Sequence, residues 1–410
     1  MKRISLLIFI ALIGMSGCAV EEVVTAEETE LIVAEAPPAE SMLLDIGIIQ
    51  FDAGIPRDND PSDTGIYEDI RAAESNYLAY HLKSTLQGTG HWGAVRVVPS
   101  RQAFTDVIID GQIEESDGEF ITLKIDVSDS RGERWYEKEY STQTGISSYS
   151  QNRDRRQDPY QKVFNDIAND LRTYVAQLPP KSVQQVQQVS ELRFFAYMSP
   201  DAYGEHLLTD KEGITSAVRL PAENDPGVAR LRQIRERDRL VVDTLNEHYA
   251  NFYYGIAIPY HSWRKTAREE AINYRQVKRS ATMQALMGAV VLAGSLAIDT
   301  DSGGRQTRNV NRSLQNIGIG QGLETIFASF SRRSEATMHL ESIKELSESF
   351  GAEAAPMVVT VEGQTRRLTG TAASQYESWR RLLKEIYEAE TGFVDTEGVA
   401  APSRLPEPSG

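Results

Sequence analysis

The sequence predicts an α+β protein: a small α/β domain with a mostly antiparallel sheet, then a helical domain carrying a long helical hairpin and a small β-hairpin. Three observations lead there. Between residues 43 and 180, short alternating apolar runs separated by Gly and Asp turns flank two amphipathic helical stretches. From residue 225 onward the apolar period changes from two to three and four, with few breakers. The single cysteine among 410 residues, Cys18, allows no disulfide within the chain, so the fold must rest on buried apolar cores.

The chain opens MKRISLLIFIALIGMSGC. Lys2 and Arg3 are a short basic start, and Ile4 to Ile13 is an apolar run of signal-peptide length, too short to span a bilayer. Ser16 and Gly17 then precede Cys18 directly. The stretch LIGMSGC resembles the lipobox of bacterial lipoproteins, with Met15 where such boxes usually carry Leu. The resemblance implies cleavage after a signal peptide of residues 1–17 and a covalent lipid on Cys18. It further implies an anchor in the outer membrane facing the periplasm, because Ala19 stands where an Asp commonly retains such proteins at the inner membrane. Residues 18–42 read as an acidic tether: positions 19 to 41 hold seven glutamates and no basic residue. The alternative for that segment is a short amphipathic helix.

The α/β domain is expected over 43–180. Leu43 to Phe51 (LLDIGIIQF) reads as a buried strand, and Ile66 to Leu86 as a helix with Ile70, Tyr77, Leu78, His81, Leu82 and Leu86 at helical spacing. Gly88 and Gly90 end it. Strands follow at 94–98, 106–116, 119–130 and 133–141, with hairpin chemistry at Asp117-Gly118 and at Asp129 to Gly132. Asp158 to Leu178 is a helix with Val163, Ile167, Leu171 and Val175 on one face, stopped by Pro179-Pro180.

The segments GIIQFD, TGHWGAVRVVPS and DVIIDGQIEESDGEFITLKIDVSDSRGERW together resemble the domain shared by the amino-terminal domain of TolB, the curli-secretion lipoprotein CsgG, and auxiliary lipoproteins of lipid transporters. The resemblance covers about residues 43 to 178 and implies an assembly or binding module with no catalysis.

Residues 181–224 form a connector that begins with a helix, its Val183, Val186, Val189 and Leu192 along one seam. The helical domain is expected over 225–390. Pro259 is expected to interrupt its first helix near Tyr254. The hairpin of long helices occupies 261–350, the β-hairpin 357–370, and a closing helix at 373–390 places Tyr376, Trp379, Leu383, Ile386 and Tyr387 on one stripe. Residues 391–410 read as a disordered tail.

One stretch is unusual. Ser280 to Ile298 runs 19 residues without a charge. Ala285, Gly288, Ala289 and Ala293 line it with small side chains, and Gly318, Gly320 and Gly322 open the facing arm, so the arms can approach closely. A buried hairpin, an oligomer interface and membrane insertion all remain open for it. A second concentration, YANFYYGIAIPYHSW (249–263), supplies Tyr253, Tyr254 and Trp263, read either as a packed corner at Pro259 or as a docking surface.

The chemistry-bearing patterns are weak. GTGHWG (88–93) has the glycine spacing of a dinucleotide motif, but a helix precedes it and a strand follows, the reverse of what a phosphate at a helix N-terminus requires. The six histidines, among them His81 and His261, form no metal pair at i, i+4. DNDPSD (58–63) is an acidic loop, read as solvated. Glu114 and Glu115 should point to opposite faces of their strand. The formal charge of −16 deepens by two, to −18, when Lys2 and Arg3 are removed, which argues against nucleic acid as a partner. The expectation is therefore no enzyme, no metal and no cofactor other than the lipid. A membrane anchor and a protein partner or self-association take their place. That describes a scaffold or accessory subunit of envelope assembly or transport, or else a homo-oligomeric secretion or channel component.

Overall fold

The structure, a computed structural model, describes residues 28–59, 64–101, 104–150, 157–222, 224–296, 334–352, 357–361 and 364–391. Its centre is a five-stranded sheet of order β2-β1-β3-β4-β5. β1 (Ile46–Ile49) pairs in parallel with β2 (Val95–Val98) and with β3 (Val107–Ser116). β3, β4 (Phe120–Asp129) and β5 (Arg134–Gln143) form an antiparallel meander. Mixed parallel and antiparallel pairing follows from the chain order, since the helix α1 (Glu68–Thr89) sits between β1 and β2. Gly90, the GTGHWG glycine that ends α1, has φ +68°, so the motif is a helix C-cap.

Strict alternation in β4 sends Ile121, Leu123, Ile125 and Val127 to one face, all fully buried. Against that face pack α1 and α2 (Gln161–Gln177), with Leu78, Leu82, Phe164, Ile167 and Leu171 in the same core. The opposite face of β4 is polar, with Lys124 paired to Glu137 and Asp126 to Arg134. α3 (Pro180–Met198) starts at the double proline and buries Val183, Val186, Val189 and Leu192, the seam its spacing predicts. A hairpin of two three-residue strands, β6 (Leu207–Thr209) with β7 (Thr215–Ala217), follows within the span expected as connector.

α4 (Pro226–Leu296) is a single helix of 71 residues, about 105 Å long at 1.5 Å per residue. It links two cores. Val228, Leu231, Ile234, Val241, Val242, Leu245 and Tyr249 enter a second core with Val97, Ile108, Phe194 and Phe195. Phe252, Ile256, Tyr260 and Trp263 enter the first. Within the first of these sets the helix passes β2, the edge strand of the sheet. There Asn246 Oδ1 accepts from the Val97 N–H at 3.1 Å, and Arg96 pairs with Asp243 at 2.6 Å. An edge strand is thus covered by a helix that supplies its missing acceptor.

The expected interruption at Pro259 does not occur. Pro259 lies inside α4. A proline removes one helical hydrogen bond and crowds the carbonyl four residues back. That carbonyl belongs to Gly255, an exposed residue with nothing within 4 Å of where a Cβ would stand. Ile256, Tyr260 and Trp263, all buried, hold the turns on either side. The aromatic concentration is therefore a packed helix face with no corner in it.

The segment expected as a free tether is also different from Glu28 onward. Asn169 Oδ1 accepts from Ile32 N–H and Asn169 Nδ2 donates to Glu30 O, while Ala34 N–H donates to Thr89 O at 2.8 Å. Leu31 packs on the first core. The strand of hydrogen bonds satisfies backbone groups that the glutamate-rich composition suggested would be solvated.

α5 (Ser334–Ala352) lies against α1 and α4, with Ile343 fully buried and Lys344 3.4 Å from Asp69. β8 (Met357–Val361) and β9 (Gln364–Leu368) form the expected hairpin. α6 (Ala372–Thr391) closes the second core with Tyr376, Trp379, Leu383 and Tyr387 of the expected stripe, while Ile386 is only half-buried and stands outside that core. Among the described residues no helix is long and apolar enough to cross a membrane.

Candidate functional site

The chemistry of this fold concentrates where α4 crosses the tip of the β3–β4 hairpin. Arg264 of α4 donates from both terminal nitrogens to Asp158, at 2.8 Å each. Asp158 also accepts from Tyr77 Oη at 2.9 Å and from the Tyr160 N–H at 2.9 Å. The guanidinium lies over the rings of Tyr260, Tyr160 and Tyr77, with centroids 4.2, 5.0 and 5.6 Å away. Burial would push the Asp158 carboxyl up, but the Arg264 charge beside it overrides this and holds it well below the usual carboxylate range.

Glu74 of α1 sits next to this pair, fully buried. Its Oε1 accepts from Ser116 Oγ and Tyr260 Oη, both at 2.7 Å, and Arg71 Nε lies 3.4 Å from its Oε2. Burial raises its pKa, with Arg71 opposing. His81, one turn further along α1 from Tyr77, is held at both nitrogens: Nε2 lies 2.9 Å from Gln161 Oε1 and Nδ1 2.8 Å from Tyr253 Oη. Gln161 Nε2 donates to Asn165 Oδ1 and Thr85 Oγ1, which orients the amide oxygen toward the imidazole. The tautomer that fits carries its proton on Nε2 and accepts from Tyr253 at Nδ1. Burial lowers the His81 pKa and favours this neutral form. Each titratable group here is already committed to a neighbour. The cluster can lock α4 to the α/β body.

The hairpin tip is built for that lock. Gly118 has φ +87°, and a Cβ there would stand 2.2 Å from Arg264 O. Its N–H donates to Tyr160 Oη at 2.9 Å and its carbonyl accepts from Tyr149 Oη at 2.7 Å. The Asp-Gly turn predicted from sequence is thus also a contact point.

Beside the lock is a cavity of about 670 Å³. Thr64 to Tyr67 close one side, Glu114 to Asp117 of the hairpin another, and one face of α4 the third. That face presents Trp263, Ala267, Glu270, Ala271, Tyr274 and Arg275, a helical stripe in which the two alanines keep the wall low. Glu114 and Glu115, expected on opposite faces, both line the cavity. The reason is a β-bulge, since the register with β4 shifts between Ile113 and Glu115. Arg275 pairs with Asp117 at 2.8 Å and with Glu119, and lies over the Phe120 ring at 4.7 Å.

The sequence-predicted site residues fall in different places. Tyr253 is half-buried, stacked on Tyr77 at 4.5 Å and bonded to His81. Trp263 is 3 % exposed and faces the cavity, whereas Tyr254 is 68 % exposed. Only Tyr254 of the three is presented to the surface. Ala285, Gly288, Ala289 and Ala293 fall within α4. Cys18, Gly318, Gly320 and Gly322 lie outside the described residues, as do Asp60 to Asp63 of the acidic loop. Among the described residues no three of His, Cys, Asp or Glu converge on a metal position. Sequence reasoning missed Glu115, Asp117, Glu270 and Arg275 as a group. The available signal was the 263, 267, 270, 271, 274 spacing, which marks one helix face but not what lies across from it.

The chain matches no family model, no curated protein and no solved structure.

Proposed function

We propose that the protein is a lipoprotein anchored through Cys18 in the outer membrane, facing the periplasm. In this reading it is a non-enzymatic scaffold or accessory subunit of envelope assembly or transport. The anchor reading is supported by the basic start, the apolar run and the LIGMSGC stretch. The scaffold reading is supported by a rigid body in which one long helix is pinned across both cores.

One observation carries the docking role. Leu240, Tyr254 and Ile258 on α4 are 66, 68 and 79 % exposed. At 100° per residue they fall within about 40° of one another, on the face turned away from both cores. A large exposed aliphatic or aromatic residue is ordinary alone, but an aligned set on a pinned helix is a contact surface.

The test is a photo-crosslinking residue at Ile258 in cells, compared with one at Lys211, exposed in the turn between β6 and β7. A discrete adduct from 258, lost when Cys18→Ser releases the chain from the membrane fraction, is the expected result. An adduct at twice the chain mass would instead identify the homo-oligomeric secretion component. Equal smears from both positions, or a Cys18→Ser chain that stays in the membrane, would refute the reading.

A further inference from the structure

We propose that Tyr253 is a redox-active tyrosine: it gives one electron to an organic radical of the peroxyl class that reaches the exposed face of α4, and its phenolic proton passes to His81. This goes beyond the scaffold role and does not depend on it.

The route inward is made of rings in contact. Tyr254 is the exposed member, at 68 %. Its ring meets Tyr253 edge-on with centroids 5.2 Å apart and Tyr80 at 6.4 Å, and Tyr80 in turn lies 5.0 Å from Tyr253. Tyr253 then stacks on Tyr77 at 4.5 Å. An electron vacancy created at the surface therefore crosses no gap on its way to Tyr253.

A phenol gives up an electron readily only when its proton has somewhere to go, because the phenol radical cation is a strong acid. At Tyr253 the acceptor is in place. His81 Nδ1 stands 2.8 Å from Oη, and the neutral tautomer oriented by Gln161 leaves that nitrogen as the acceptor. The step moves one proton and one electron. The O–H bond of Tyr253 breaks and an N–H bond forms at Nδ1. The electron reduces the peroxyl radical to its anion, which takes up a proton from water. No other bond changes.

The products are held where they form. The imidazolium has two N–H groups, and both find acceptors: Nδ1–H donates back to the phenoxyl oxygen, and Nε2–H donates to Gln161 Oε1 at 2.9 Å. Burial disfavours the charged ring, and the Asp158 carboxylate opposes that.

The neighbouring phenols lack this arrangement. Tyr77 Oη donates to Asp158, but Arg264 takes up both oxygens of that carboxylate and leaves it a poor base. Tyr260 donates to Glu74 Oε1, is fully enclosed, and lies one ring further in, beyond Tyr77.

The test is flash photolysis of the full chain carrying a ruthenium tris-bipyridine photo-oxidant on Glu247→Cys, exposed on the same helix, with Cys18→Ser to leave one attachment point. The readouts are electron paramagnetic resonance and mass mapping of a nitroso spin-trap adduct. A tyrosyl radical trapped on Tyr253, formed more slowly in heavy water, is expected. Tyr253→Phe keeps the ring and its packing and should slow radical formation by about tenfold or more. His81→Gln should do the same, with its thermal midpoint reported alongside. Where His81→Gln does not fold, Tyr253→Phe and the heavy-water comparison decide alone. An adduct on Tyr254 or Tyr80 with Tyr253 in place, a rate unchanged by Tyr253→Phe, or equal rates in light and heavy water would each overturn the proposal.

Discussion

Arg264 and Asp158 stand 106 positions apart in the chain and meet in a two-pronged ion pair, with side chains only 1 and 3 % exposed. This pair decides how α4 sits on the α/β body. Two buried charges gain little over an apolar pair of equal volume, but removing one of them strands the other. Arg264→Leu should therefore destabilise the protein by about 3–5 kcal/mol. Arg264→Lys should recover little, because an ammonium cannot match both carboxylate oxygens or lie flat on the tyrosine rings. Arg264→Leu/Asp158→Asn should lose clearly less than the sum of the single changes in a urea-unfolding double-mutant cycle.

Gly118 adds a steric condition to the same contact. Gly118→Ala requires a side chain at φ +87° and places its Cβ against the Arg264 carbonyl. A left-handed non-glycine residue alone costs about 1 kcal/mol or more, and the overlap adds to it by forcing hairpin and helix apart. A loss of about 2–4 kcal/mol is expected, together with faster hydrogen exchange at the α4 amides near Arg264 and Arg268.

Asn246 gives a local test of the edge cover. Asn246→Leu keeps the volume on α4 but leaves the buried Val97 N–H without its acceptor. The cost should be about 1–3 kcal/mol. Hydrogen exchange at Val97 should accelerate more than at Ile48 in the adjacent strand.

Stability should carry two opposed pH dependences. Asp238, where α4 meets α6, is pushed up to about 6 by burial, with Arg380 and the 3.2 Å hydrogen bond from Tyr376 only partly opposing. The folded state therefore holds a proton that the unfolded chain, titrating at the ordinary value of 3.8, has already lost. That contribution is fully present below the lower value and disappears as pH rises through about 6, amounting to about 3 kcal/mol. His81 acts in the other sense: its folded pKa is lowered, so stability falls as pH drops below 6.5, where the unfolded chain takes up the proton. Asp238→Asn should remove the loss on going from pH 4 to 7 and leave the histidine slope. Guanidinium unfolding at several pH values checks both.

The surface stripe should behave unlike any of these. Leu240→Ser and Tyr254→Ser are expected to change stability by less than about 0.5 kcal/mol. In cells they should remove the crosslinked adduct while leaving the thermal midpoint in place.

Much of the architecture could be read from local pattern. The alternation in β4, the seam from Val183 to Leu192 and the stripe from Tyr376 to Tyr387 each repeat at the period of their own element, and each is buried as that period implies except at Ile386. The Asp117-Gly118 turn and the Gly90 cap were visible because positive φ selects glycine. Those signals act over a few residues, which is the range over which sequence periodicity carries information.

Long-range placement was not visible in the same way. Pro259 was a plausible break until the packing of Ile256, Tyr260 and Trp263 showed that burial on both sides outweighs one missing hydrogen bond. Glu114 and Glu115 were on opposite faces until the bulge put both on one cavity. The glutamate-rich segment was solvated by composition until Asn165 and Asn169 were found bonded to its backbone. In each case the deciding contact lies far along the chain. Local chemistry sets where helices, strands and turns begin and end. The pairing of Arg264 with Asp158, and the cavity beside it, depend on how a 71-residue helix registers against a hairpin tip. That register is an energy balance over the whole interface, and no short stretch of sequence contains it.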